Sequence, residues 1–159
     1  LKAMRRRYNT ELYRDLILKL TEEDKKLVLQ ARAISLKAYV PYSQFRVGTA
    51  ILLSSNKVIV ANNQENASYP EGLCAERIAL FYASANYPNK KIKTIAIAGN
   101  SELQITDNPI TPCGACRQVI AEYEIKQKEK IKILMTGISG KIIAVEGIDN
   151  LLPFCFKMK

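Results

Sequence analysis

Histidine and tryptophan are both absent from the 159-residue sequence. Without an imidazole side chain, the protein cannot build a Ser-His-Asp triad, a histidine-ligated metal site or any mechanism that needs an imidazole base. Acid–base and metal chemistry must therefore rest on carboxylates and thiols. The four cysteines become the candidate metal ligands.

Long hydrophobic runs are absent as well. No stretch approaches the roughly 18 consecutive apolar residues of a membrane span. The earliest apolar run, residues 16–18, ends at Lys19, whereas the apolar region of a secretory signal needs roughly 7–15 residues. We therefore expect a cytoplasmic protein with no membrane association. Thiols stay reduced in that compartment, and clustered cysteines there bind metal more often than each other.

The composition, with 48% hydrophobic and 25% charged residues, is typical of one globular domain. A formal net charge of +9 would suit nucleic acid. Much of that charge lies in residues 1–20, which include Arg5-Arg6-Arg7, and in a lysine-rich segment over 126–132. No basic run is interleaved with aromatic residues that would stack on bases. We predict a basic extension over 1–20, flexible or helical, a domain over 21–159, and a solvated lysine-rich surface in preference to a nucleic-acid interface.

Hydrophobic spacing predicts an alternation of helices and strands. Thr21 is a plausible N-cap, Leu27 and Ala31 share a helix face, and Pro41 should end that helix. The predicted helices cover residues 21–40, 73–85, 113–128 and 148–152, and the predicted strands cover 47–53, 57–61, 92–98 (ended by Gly99), 131–135 and 141–145. This order predicts a layered α/β domain with helices packed on a central sheet.

Three cysteines fall at predicted helix starts. Cys74 opens one helix, and Cys113 and Cys116 open the next. Free amide groups at a helix N-terminus favour thiolate over thiol. Two cysteines at i and i+3 on a first turn can bind one Zn²⁺, and Cys74 would be a third ligand if the two helix starts converge.

Three protein ligands leave the fourth tetrahedral position open for water, as in catalytic zinc sites. Glu76 lies two residues after Cys74 and could reach such a water only at a helix start. The alternative is that Cys155 completes a closed structural site. Because Cys155 lies in the apolar run over 151–156, a packed core thiol is the favoured interpretation.

The combination of C-A-E with P-C-x-x-C is far more specific than either half. These motifs belong to a set of five ordered segments: YSQFRVGTA at 42–50, NQENASY at 63–69, CAERIAL at 74–80, TPCGACRQ at 111–118 and LLPFCF at 151–156. Together they make the sequence similar to the small, homotetrameric cytidine deaminases. The resemblance implies a three-layer α-β-α fold around a mixed five-stranded sheet, and one zinc per chain. It also implies hydrolytic deamination of cytidine and deoxycytidine, with release of ammonia, in pyrimidine salvage.

The resemblance further implies roles for individual residues. Cys74, Cys113 and Cys116 would hold zinc, Glu76 would shuttle protons, and Arg77 would donate hydrogen bonds to thiolate sulfur and withdraw surplus negative charge. The positions that match substrate contacts are Phe45 on the pyrimidine ring, Asn63 and Glu65 on the ribose hydroxyl, the backbone around Ala75 and Thr111 on the base edge, and Phe156, which is lent to a neighbouring subunit's site.

Other interpretations remain open at this stage. One is a deaminase of another aminopyrimidine nucleoside, such as blasticidin S. A second is an RNA- or DNA-editing deaminase, prompted by the net charge, and a third is a non-catalytic module with a four-cysteine site. Phe154-Cys155 stands where the family usually has small residues, and the segment before Thr21 has no counterpart.

Overall fold

The structure is a computed structural model that describes residues 20–103 and 106–158. The predicted basic extension lies outside the described residues except for Leu20.

Three α-helices and five strands make up the described part of the chain. The helices are α1 (Glu22–Ser35), α2 (Ala75–Asn86) and α3 (Gly114–Gln127), and the strands are β1 (Phe45–Leu53), β2 (Val58–Asn62), β3 (Ile92–Ser101), β4 (Lys132–Gly137) and β5 (Ile142–Glu146). Short 3-10 helices cover Tyr69–Glu71 and Ile148–Asn150.

The strands form one mixed sheet in the order β2-β1-β3-β4-β5. β3 and β4 run parallel, and the other neighbouring strands are antiparallel. Parallel neighbours need a crossover connection, which α3 supplies. The predicted mixed five-stranded sheet is thereby confirmed.

Helices cover both faces of the sheet and produce three layers. Because side chains alternate along a strand, Ile95 and Ile97 of β3 pack in the cluster that includes α2 and α3, whereas Ala96 and Ala98 pack with α1. The α1 side therefore carries the smaller residues on this central strand. Gly48 on β1 allows an equally close approach, because a Cβ there would clash with the backbone of Ala31 and Ser35.

Helix α1 begins as predicted but ends earlier. The predicted N-cap Thr21 forms a capping box with Asp24. The helix stops at Ser35, although Pro41 was predicted to end it. Backbone groups after Ser35 bond elsewhere: the Ala38 carbonyl accepts from Arg46 at 2.7 Å, and the Tyr39 amide donates to the Asn63 carbonyl at 3.2 Å. These partners outside the helix favour an irregular backbone after Ser35 over further helix.

Two other boundaries were predicted wrongly. The 148–152 helix is only the 3-10 turn Ile148–Asn150, because Gly147 enters it at φ 84° and Pro153 lacks an amide hydrogen that could extend it. Strand β3 continues through Gly99 to Ser101, because Gly99 pairs with Val47 on one side and Gly137 on the other.

No helix within 20–103 and 106–158 is long and apolar enough to cross a membrane.

Candidate active site

The N-termini of α2 and α3 carry the three cysteines of the candidate site. Cys74 is the N-cap of α2, and Cys113 is the N-cap of α3. Cys116 lies in the first turn of α3, where its amide donates to the Cys113 sulfur at 3.4 Å. Both predicted helix starts are therefore confirmed, and the Cys113 sulfur caps one of the α3 amides that lack an intrahelical acceptor.

The two helix starts converge on one cluster of sulfurs. The Cys74 and Cys113 Sγ atoms are 3.9 Å apart, and those of Cys113 and Cys116 are 3.3 Å apart. All three lie within 4.8 Å of one another. Tetrahedral zinc with Zn–S bonds of about 2.3 Å separates its sulfurs by about 3.8 Å, so the cluster fits this ion.

Cys155 lies outside that cluster. It is half-buried and packs against the core layer that contains α2 and α3. In the described residues, the group of side chains able to hold a metal consists of the other three cysteines. Tetrahedral zinc takes four ligands, so an ion held by these three sulfurs would keep a fourth position for another group.

Arg77 contacts the sulfur cluster from the first turn of α2. Its Nη2 donates to the Cys74 Sγ at 3.7 Å, and its Nε is buried with no partner atom in the described residues. Hydrogen bonds from Cys116, Arg77 and Cys113 together lower the pKa of Cys74 to about 5, although burial opposes them. Cys74 is therefore a thiolate at neutral pH.

Glu76 is a buried carboxyl group beside the sulfurs. Its exposed fraction is 4%, and it lies between the helix residues Ala75 and Arg77. Burial and, to a smaller extent, the charge on Cys74 raise the pKa of Glu76 to about 7, although its own backbone hydrogen bond, Cys116 and Arg77 act in the opposite direction. A carboxyl group with this pKa can both accept and donate a proton near neutrality.

The predicted ribose contacts lie on one extended segment next to α2. The backbone of Gln64 pairs with Leu73, the residue before Cys74, and with Tyr39 on its other side. The side chains of Asn63 and Glu65 both reach back to the chain around the start of β1: Asn63 bonds the backbone of Phe45 and Val47, and Glu65 bonds that of Tyr42 and Ser43. Pairing to Leu73 places both residues close in the fold to the start of α2.

Asn63 also fixes the start of β1. Its Oδ1 accepts from the Val47 amide at 2.7 Å, and its Nδ2 donates to the Phe45 carbonyl at 3.0 Å. Each amide atom can make one further hydrogen bond. The structure thus joins Asn63 to Phe45, which is half-buried at the first position of β1.

Glu65 lines a cavity of about 340 Å³ together with Tyr42, Tyr69 and Gly72. Its Oε2 accepts from the amides of Tyr42 at 3.0 Å and Ser43 at 3.2 Å. Burial opposes ionisation, but hydrogen bonds from Ser43 and Tyr42 lower the pKa of Glu65 overall. This side chain is a fixed, charged acceptor at the wall of a cavity large enough for part of a small ligand.

The remaining predicted positions differ in exposure. Ala75 is fully buried at the first position of α2, whereas Thr111 is exposed just before α3. The Phe156 side chain is 72% exposed and belongs to the C-terminal segment after the last 3-10 helix.

Similarity to known proteins agrees with this geometry. Residues 21–130 match the family model described as the cytidine and deoxycytidylate deaminase zinc-binding region. The chain belongs to this deaminase family.

The alignments with known relatives include most of this deaminase and most of each relative. A cytidine deaminase of Halalkalibacterium halodurans is 41% identical over 131 residues, which are 82% of this chain and 89% of the relative. A cytidine deaminase of Sporosarcina psychrophila is 35% identical over 83% of this chain and 90% of its own. The crystal structure of cytidine deaminase from Burkholderia pseudomallei aligns with a TM-score of 0.71 at 38% identity, and covers 86% of this chain and 100% of that one. The resemblance seen in the sequence is confirmed.

Two residues of the deaminase that sequence reasoning left without a role follow Cys116 directly. Arg117 donates to the carbonyls of Pro112 at 2.8 Å and Leu151 at 2.9 Å. Gln118 exchanges two hydrogen bonds with the backbone of Phe156. Both residues lie inside the TPCGACRQ motif, but Leu151 and Phe156 are more than 30 positions away in the sequence, and local sequence patterns give no signal of such contacts.

Proposed function

We propose that this deaminase hydrolyses cytidine and deoxycytidine to uridine and deoxyuridine with release of ammonia. The observation that carries the proposal is the buried carboxyl group of Glu76 beside a three-sulfur cluster. This pairing supplies a metal site and a proton carrier without histidine. The similarity to cytidine deaminases supports the choice of substrate.

Cys74, Cys113 and Cys116 would hold one zinc ion. Zinc in an open site supplies Lewis-acid activation of a water molecule. Three thiolates overcompensate the charge of Zn²⁺ and would weaken that activation. The hydrogen bond from Arg77 to the Cys74 sulfur offsets the surplus negative charge, so we assign Arg77 the task of tuning the site.

Glu76 would carry protons in both directions. In our proposal its carboxylate takes a proton from the attacking water and delivers it to N3 of the pyrimidine. It then transfers the second proton of that water to the leaving amine, so that water and the nucleoside give ammonia and the 4-keto product. Because the carboxyl group returns to its starting state, it serves as base and acid in one cycle.

The nucleoside would lie between the sulfur cluster and the segment that carries Asn63 and Glu65. We assign the ribose hydroxyl to these two side chains, because both reach back to the start of β1 and retain hydrogen-bonding capacity. Phe45 would pack on the pyrimidine, and the amide groups near Ala75 and Thr111 would contact the edge of the base.

We further propose a homotetramer in which Phe156 of one subunit completes the site of another. Large exposed side chains support an interface: Phe154 is 96% exposed, Tyr69 76% and Phe156 72%. We assign the enzyme to pyrimidine salvage in the cytoplasm, where thiol ligands remain reduced.

The test is the ultraviolet absorbance change of cytidine and deoxycytidine with the purified protein, alongside zinc quantification. We expect turnover of both nucleosides with one zinc per chain. Zinc-loaded, folded protein that leaves both nucleosides unchanged would contradict the proposal. Loss of zinc from a Cys155→Ser variant would favour a closed structural site instead.

A further inference from the structure

The side chain of Gln118 bonds both backbone polar groups of Phe156, a residue of the C-terminal segment. Its Nε2 donates to the Phe156 carbonyl at 2.9 Å, and its Oε1 accepts from the Phe156 amide at 3.1 Å. A primary amide that bonds both groups of one residue fixes the position of that residue and the rotation of its backbone.

Apart from Cys155, which packs against the core, the segment after Leu152 has few contacts within the described residues. Residues 153–158 form no helix or strand, and Phe154 and Met158 are largely exposed. Among the described residues, the two bonds from Gln118 are the hydrogen bonds found for 154–158. Gln118 therefore supplies the hydrogen bonds that fix the Phe156 backbone, from which the ring projects.

Arg117 fixes the other end of the segment. Its Nη1 donates to the Leu151 carbonyl, and its Nε donates to Pro112, the residue before Cys113. Consecutive residues of α3 thus hold the segment at 151 and at 156. Because Cys116 directly precedes them, the segment is positioned relative to the helix that carries two of the sulfurs.

We propose that Gln118 is a positioning residue that fixes where the exposed Phe156 ring is presented to the nucleoside site of a second copy of the chain. Gln118 acts through Phe156 and does not touch substrate. The expected effect on catalysis rests on the proposed function. The effect of Gln118 on the position of the segment does not depend on turnover.

The chain offers a matched control at the other end of the same helix. Gln127 makes the same two-point contact with Ile92: its Oε1 accepts from the Ile92 amide at 2.9 Å, and its Nε2 donates to the Ile92 carbonyl at 3.0 Å. Gln118→Met and Gln127→Met each remove a two-point contact of this kind with similar side-chain shape; Gln127→Met also removes a hydrogen bond to the Glu129 carbonyl. Gln127 bonds Ile92 and Glu129 and not Phe156, so we expect only Gln118→Met to release Phe156.

Steady-state kinetics with cytidine test the catalytic consequence. We expect Gln118→Met to raise KM by about 3- to 10-fold, the effect of losing one or two neutral hydrogen bonds, with kcat within about twofold of wild type. Gln127→Met should lower thermal stability and leave KM unchanged. In combination with Phe156→Ala, Gln118→Met should add no further rise in KM, because its effect acts through that ring. Equal KM changes in the two glutamine variants, or fully additive effects with Phe156→Ala, would overturn the proposal.

Hydrogen–deuterium exchange tests the positioning without turnover. We expect faster exchange in the peptide that contains Phe156 in Gln118→Met, and wild-type exchange there in Gln127→Met. If Gln118→Met fails to fold, Gln118→Glu replaces it. That variant keeps the acceptor for the Phe156 amide but sets a carboxylate oxygen against the carbonyl oxygen, so the same peptide should again exchange faster. Unchanged exchange in both variants would refute the proposal. Faster exchange in a protein that does not deaminate cytidine would refute the proposed function alone.

Discussion

The ability of Glu76 to exchange protons near neutral pH depends on its surroundings. At an ordinary exposed position its carboxyl group would be ionised at neutral pH and a weak proton donor. Burial raises its pKa to about 7, so both protonation states are accessible near neutrality. A cation bound by the neighbouring sulfurs would favour the carboxylate, which is the form needed to accept a proton.

Substitution of Glu76 separates proton transfer from metal binding. We expect Glu76→Gln to lower kcat by about 10²- to 10⁴-fold, because the amide keeps the shape but cannot carry a proton. Zinc content should remain that of the wild type, as measured by mass spectrometry of metals. The control is Glu122→Gln on the exposed part of α3, which should retain full activity. Retained turnover in Glu76→Gln would remove this residue from the mechanism.

The residues of the sulfur cluster were predictable because each belongs to a short motif with a chemical reason for its spacing. Cys113 and Cys116 share the first turn of one helix, and Cys74 starts another. The contacts of Gln118 were not predictable, because side-chain bridges between segments distant in sequence leave no local periodicity. Such contacts depend on how the elements pack.

The boundaries of the helices and strands likewise divide into those that local sequence predicts and those that tertiary contacts decide. The start of α1 followed from local chemistry, since Thr21 and Asp24 satisfy each other's backbone groups. Its end did not, because Arg46 of β1 and Asn63, both outside the helix, engage the backbone after Ser35. Capping is local, whereas competition from tertiary hydrogen bonds becomes visible only in the folded chain.

Asp24 joins α1 to the sheet and makes stability depend on pH. Its Oδ2 accepts from the Thr21 amide at 3.0 Å and from Lys132 of β4 at 2.6 Å. Burial raises the pKa of Asp24, but these hydrogen bonds outweigh burial and lower it below its usual value. The folded-state pKa is therefore below the unfolded one. The resulting stabilisation is complete above the unfolded pKa of about 3.9 and is lost as the pH falls through the folded-state pKa.

We expect Asp24→Asn to lower the free energy of unfolding at pH 7 by about 1–3 kcal/mol, because Lys132 loses a charged acceptor. The difference from wild type should shrink as the pH falls below about 4, as measured by urea unfolding at several pH values. Glu22→Gln removes the exposed partner of Lys25 in the same helical turn and should cause no measurable change. A difference between Asp24→Asn and wild type that stays constant down to pH 2 would contradict the linkage.

At the scale of the whole molecule, the fold explains why a small chain without histidine can build this site. The N-termini of α2 and α3 meet above one face of the sheet, and each contributes an N-cap cysteine. The sequence motifs predicted the fold because the ligands must lie on these two helix starts. The same motifs predict the oligomeric state less well, because an exposed phenylalanine in one chain does not show which surface of another chain covers it.

Mixed oligomers test whether Phe156 acts on a neighbouring chain. A Glu76→Gln chain has no proton carrier but presents an intact Phe156, whereas a Phe156→Ala chain has an intact Glu76 but presents no ring. We expect co-assembled mixtures of the two to exceed the weighted mean of their separate rates at cytidine concentrations below KM, because intact rings then serve intact sites. Mixtures of Glu76→Gln with wild type should follow that mean, since every competent site already receives a ring. If the Glu76→Gln and Phe156→Ala mixture also follows the mean, the ring serves its own chain and the shared site is wrong.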